Sequence, residues 1–150
     1  MGYEDLVGDA GSLWNGDGGA AREEFDHKLE SLSAAVTAAL LARPDVERLV
    51  GPGNQEVMRT NHLHHGRFMS TLLLAFDGKE LVDTVIWVLR AYRAHGFHLD
   101  YWPIQLSAWL EVMERELSGE ALRGIAPIYH WMTDNMTALA ALAEDAAGDE

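Results

Sequence analysis

From residue 21 onward the apolar residues of this chain return at intervals of three and four, and strand-like alternation never survives more than a few positions. That period commits the backbone to helices. Phe25, Leu29, Leu32, Val36 and Leu40 draw the first stripe and predict a helix over 21–42. Pro44 ends it, because a proline crowds the residue before it out of the helical region. A short piece, "DVERLV", is closed by "GPG", and Asn54 stands where an N-cap opens a helix reaching Phe76. After "DG" a further helix runs from Lys79 to His95, with Leu81, Val85, Val88 and Tyr92 on one face, and Gly96 stops it.

Asp100 is placed to cap the next helix, with Pro103 in its first turn, where a missing N–H costs little. Its stripe is Trp102, Leu106, Trp109, Met113 and Leu117. Gly119 separates it from a last helix ending near Glu144, in which Pro127 either makes a kink or begins the main segment. Five main helices and one short one, joined by tight corners, make an all-α single domain. Residues 1–20 hold six glycines and several acids, and we expect a flexible leader pinned by Trp14. Residues 147–150 read as a fraying tail.

Composition narrows the function classes. The chain carries 24 acidic against 11 basic residues, a formal charge of −13, with no local Lys/Arg cluster. Such a surface repels phosphate backbones and anionic lipid, so neither nucleic acid nor membrane is an expected partner. There is no cysteine, which removes disulfides, thiolate metal sites and a thiol nucleophile, and fits a cytoplasmic protein. No G-x-S-x-G or H-E-x-x-H motif occurs, and no inward carboxylate–histidine pairs of the di-iron type, so the reading is non-enzymatic.

The polar feature that stands out is "NHLHHGRFMSTLLLAF" at 61–76, with three histidines in four positions. Stepping back from Phe76 by helical turns passes Leu72, Phe68 and His65, which sets His65 on the core face and His64 about 100° around the axis. His62 lies one turn from His65. A metal would need further ligands, and the nearest other pairing, His130 with Asp134, is on a distant helix. The simpler reading is one histidine at the core edge and the others facing water. Trp87, Trp102, Trp109 and Trp131 could wall a pocket for a flat ligand, but at this spacing core packing is the better reading.

In order, these pieces resemble a globin over residues 22–146. "HHGRFMSTLLLAF" is similar to the globin E helix, with His65 at the distal position and Gly66 at the small position that admits a bound group. "YRAHGFHLDYWPIQLSAWLEVM" is similar to the end of the F helix, the following corner and the G helix, with Gly96, Phe97, Tyr101 and Trp102 matching sensor globins. The resemblance implies a pocket between the E and F helices formed by His65, Phe68, Leu72, Val88 and Tyr92. His95 and His98 at the corner would be partners for ligand carboxylates. Haem globins place the proximal histidine four residues before the corner glycine, where this chain has Tyr92. His95 comes three positions late, rotated by roughly 60° and shifted by about 4.5 Å.

The departure implies a non-haem sensor globin, similar to stressosome sensor N-terminal domains and closer to photoglobins. The expectation is a bacterial signalling domain holding a linear tetrapyrrole or other hydrophobic ligand and passing its output to a signalling partner. A haem protein sensing oxygen or another diatomic gas, with His95 or Tyr92 as axial ligand, is the alternative. A ligand-free module is the third reading. Homodimerisation through the last two helices is expected from the sensor-globin resemblance.

Overall fold

The computed structural model describes residues 2–14 and 19–148, with side chains to residue 144. Among these residues there are nine helices and no strand. They are α1 (Tyr3–Ala10), α2 (Ala20–His27), α3 (Leu29–Leu41), α4 (Val46–Val50), α5 (Gln55–Leu74), α6 (Gly78–Ala94), α7 (Tyr101–Glu116), α8 (Gly119–Asp134) and α9 (Met136–Gly148). The all-α architecture follows the apolar period closely.

Two long segments are each cut once. The first yields at Lys28, whose ψ of 5° departs from helical geometry while its N–H still reaches Glu24 O. The last runs unbroken through Pro127 and yields at Asn135 instead. There the Asn135 side-chain amide and backbone N–H both donate to Trp131 O, a local competition that loosens a helix.

The expected flexible leader requires correction over residues 3–10. Those residues form α1, with Leu6 and Ala10 fully buried and the Gly2 N–H held by the Asp5 carboxylate at 3.2 Å. Gly78 makes the docking feasible. A Cβ there would stand 2.7 Å from Gly11 N and 2.8 Å from Val7 O, so only glycine lets α1 meet the start of α6. Tyr3 donates to Asp83, the Trp131 indole to Asp9, and the Trp14 indole to Leu73 O at 3.1 Å, which supplies the expected pin. Residues 15–18 of the leader and 149–150 of the tail lie outside the described residues, and α9 itself reaches Gly148.

The packing has one close side and one open side. α3 lies against α5 and α7, α2 against α5 and α8, while α6 is held by α1 and α9. Gly66 faces α3 rather than a bound group: its missing Cβ would sit 3.2 Å from Leu29 Cγ and 3.3 Å from Ser33 Oγ. Asn54 is not the expected side-chain cap. Its amide ties the end of α4 to the end of α6, donating to Val50 O at 2.8 Å and His95 O at 2.6 Å. Asp100 caps nothing either, and its carboxylate faces Arg48 and His98. The aromatics of α7 and α8, the helices expected to pair in a homodimer, are taken up by the chain's own core: Trp102, Trp109, Tyr129 and Trp131 are all buried.

Candidate ligand site between α5 and α6

Because α6 is carried by α1 and α9, a gap remains between it and α5. The gap is a cavity of about 250 Å³. From α5 it takes Asn61, His64, His65, Phe68 and Met69, and from α6 Thr84, Val85, Trp87, Val88, Ala91 and Tyr92. His95 closes one end, and Trp102 of α7 and Met132 of α8 complete the wall. Among the described residues no Lys, Arg, Asp or Glu is in the lining. Trp87 is 66% exposed and marks the mouth.

Five of the seven residues assigned from sequence come together here: His65, Phe68, Val88, Tyr92 and His95. Leu72 does not. It lies on the same stripe, one turn past the cavity's end, and is buried in the core. His98 does not either: beyond the helix end at Gly96, its Nδ1 accepts the Asp100 N–H at 3.0 Å and faces that residue's carboxylate. Arg90 and Arg93, on the last turns of α6, turn toward α9 and meet Ala143 O and Glu144. His64, expected on the surface, is exposed but stands at the cavity rim.

His65 is half-buried among aromatic rings, with centroids 4.7 Å from Trp109, 5.6 Å from Tyr129 and 6.1 Å from Trp102. Burial and the neighbouring His62 pull its pKa down to about 3, so the ring is neutral at physiological pH. Its Nε2 lies 2.8 Å from the Tyr129 hydroxyl. That buried phenol has no other acceptor among the described residues, so its O–H donates to Nε2 and the ring proton sits on Nδ1. Nδ1–H is left as a donor without a protein partner, on a residue that lines the cavity.

His62, expected from sequence among the histidines facing water, is instead fully buried. Nδ1 is 2.7 Å from Thr37 Oγ1 and Nε2 is 2.8 Å from the Tyr101 hydroxyl. Thr37 donates onward to Ser33 O, so one consistent direction runs from Tyr101 O–H through His62 to Thr37 and the α3 backbone. Burial, with the Arg59 charge adding to it, lowers the His62 pKa to about 4. The sequence signal for this role was a histidine one turn from His65 and on the side facing α3. Helical phase alone did not reveal that α5 is contacted from both sides.

Tyr92 packs face to face with Phe97 at 5.0 Å and edge-on to Tyr101 at 5.2 Å. Burial raises its pKa, only partly offset by the Tyr101 hydroxyl, so the phenol stays protonated and is a poor ligand for a metal. Among the described residues no three His, Asp or Glu side chains converge to hold a metal ion. No helix there is long and apolar enough to cross a membrane.

The helix that contributes Trp102 to the lining, α7, carries an unusual polar set. Gln105 is fully buried with neither end of its amide partnered among the described residues, and the Trp102 and Trp109 indole N–H groups are likewise unpaired there. An unpaired buried polar group costs about 1–3 kcal/mol. No family model, curated protein or solved structure matches this chain.

Proposed function

We propose that this chain is a non-enzymatic, globin-like ligand-binding domain acting as a cytoplasmic sensor in bacterial signal transduction. Its ligand is a flat, mainly apolar molecule such as a linear tetrapyrrole, held between α5 and α6 without ordinary haem ligation. The observation that carries this reading is the aromatic cavity lined by one neutral histidine, His65, whose Nε2 is bonded and whose Nδ1 has no partner among the described residues. Apolar walls supply affinity, and the single donor orients a carbonyl or other acceptor. At about 250 Å³ the cavity encloses one or two rings, and the rest of a longer ligand passes out beside Trp87.

The haem alternative draws on His95, which lines the rim. It is weakened by the protonated Tyr92 and by the lack of a charged lining group for propionates. The ligand-free dimer reading has less support, since the α7 and α8 aromatics lie inside the chain's own core. Output through contact with a partner protein, or with a second copy, remains part of the proposal.

Titration of the purified protein with biliverdin and separately with haemin tests the assignment. Saturable 1:1 binding of biliverdin, weakened in His65→Leu, is the expected result. A sharp Soret band at 1:1 haemin, lost in His95→Ala, would overturn the non-haem reading. Absence of binding by either, with a concentration-dependent dimer in sedimentation, would favour the interaction module.

A further inference from the structure

Five polar residues are buried among the described residues: Ser33, Thr37, His62, Ser70 and Gln105. The first four are paired, with Leu29 O, Ser33 O, Tyr101 and Asp26 respectively among their partners. Only Gln105 is not. The indoles repeat the contrast. Trp14 and Trp131 donate to Leu73 O and Asp9, whereas Trp102 and Trp109 find no acceptor among the described residues. The exceptions therefore fall on one helix, at positions 102, 105 and 109. Spacings of three and four place them on one face of α7.

That face adjoins the cavity. Trp102 lines it, and both unpaired tryptophans pack on His65, which lines it too. Gln105 is one turn along α7 from Trp102 and is not itself in the lining. Natural cores rarely leave such groups unpaired, and where they do the deficit calls for a role. A primary amide offers an N–H donor beside a C=O acceptor, and each indole adds a donor. Its best complement is a group that also presents an acceptor next to a donor.

We propose that Trp102, Gln105 and Trp109 form a polar recognition subsite that takes a carboxamide- or lactam-type group at the end of the cavity's ligand. The ligand's N–H donates to Gln105 Oε1 and its carbonyl accepts from Gln105 Nε2 or an indole, once the Trp102 indole turns aside. The subsite rests on the reading of the cavity as a ligand site. It adds selectivity that the apolar walls cannot give, because a site built for a hydrogen-bonding group rejects an analogue lacking it far more strongly than a greasy pocket rejects a missing methylene.

Calorimetric titration of the full chain with naphthalene and with naphthalene-2-carboxamide separates the two claims. The wild type should bind the carboxamide at least tenfold more tightly than naphthalene. Gln105→Leu should lose that preference, keep its affinity for naphthalene and melt at a higher temperature without ligand, since the unpaired amide is gone. Gln105→Met serves the same purpose if the leucine variant does not fold. An unchanged carboxamide preference in a folded variant would overturn the subsite while leaving the cavity reading intact. So would a wild type with no preference, or a variant that melts lower, which would mark the amide as a structural element. Failure of the wild type to bind naphthalene at all would overturn both readings.

Discussion

His62 and His65 stand one turn apart on α5 and live in opposite kinds of surroundings. His62 faces the junction of α5 with α3 and α7, where both ring nitrogens are bonded and nothing is exposed. His65 faces the gap before α6, with one nitrogen bonded and the other unclaimed. The closed side of α5 is built from contacts that satisfy one another, down to a glycine that lets α3 approach. The open side keeps a cavity, a free donor and one unpaired indole, that of Trp102, in the lining. One side holds the fold together, and the other carries polar groups at a cost to stability.

If that division is real, the same substitution should act very differently at the two positions. His62→Leu strands the buried Tyr101 hydroxyl and removes the Thr37 contact, and we expect a loss of about 3 kcal/mol. His65→Leu strands only the Tyr129 hydroxyl beside space that can relax, and the loss should be about half as large. Urea unfolding of the two variants checks this. Equal losses would break the distinction between a closed and an open face.

The two histidines also predict how stability depends on acid. Unfolded, each ring takes up a proton near pH 6.5; folded, His62 resists to about 4 and His65 to about 3. Between those values the unfolded chain binds more protons, so stability is full above pH 6.5 and falls as pH drops toward 4 and then 3. From pH 6.5 to 5 each histidine should remove about 2 kcal/mol. Urea melts at pH 7, 6 and 5 measure the slope. A doubly substituted His62→Gln, His65→Gln protein should be flatter over that range; an equally steep slope would assign the effect elsewhere.

Much of the closed side was legible in the sequence, because burial on one face writes a period that needs no knowledge of partners. Phe25 to Leu40 and Trp102 to Leu117 gave their helices directly. α1 was hidden because glycine-rich composition masked Leu6 and Ala10, a pair whose burial depends on Gly78, 68 positions beyond Ala10. The open side was legible only in part. Helical phase brought His65, Phe68, Val88, Tyr92 and His95 to one cavity, but phase has no length, so it carried Leu72 past the cavity's end. His98 lies beyond a glycine with φ of +88°, where the helical register no longer applies. Gln105 did leave a trace: a lone amide among Tyr101, Trp102, Leu106 and Trp109 interrupts an otherwise apolar stripe.

Gly66 offers a smaller test on the closed side. Alanine is the better helix former by about 1 kcal/mol, and at an open position Gly66→Ala would stabilise. Here its Cβ would press on Leu29 and Ser33 Oγ at 3.2–3.3 Å, and both belong to a core that has little room to give. The two effects oppose, and the steric one should win by about 1 kcal/mol. A variant melting above the wild type would show that α3 and α5 are less tightly seated than the closed face requires.

The smallest effect on stability belongs to the mouth of the cavity. Trp87 is 66% exposed, so Trp87→Ala removes little buried surface and should leave unfolding within about 0.5 kcal/mol of the wild type. Its effect should appear in kinetics instead, because Trp87 is both exposed and part of the lining of the cavity between α5 and α6. Stopped-flow release of bound naphthalene, followed by the fluorescence of the remaining tryptophans, should be severalfold faster in the variant with its melting temperature unchanged. A lowered melting temperature with unchanged release would instead make Trp87 part of the α6 support, and would move the boundary between the closed and open regions to the far side of that helix.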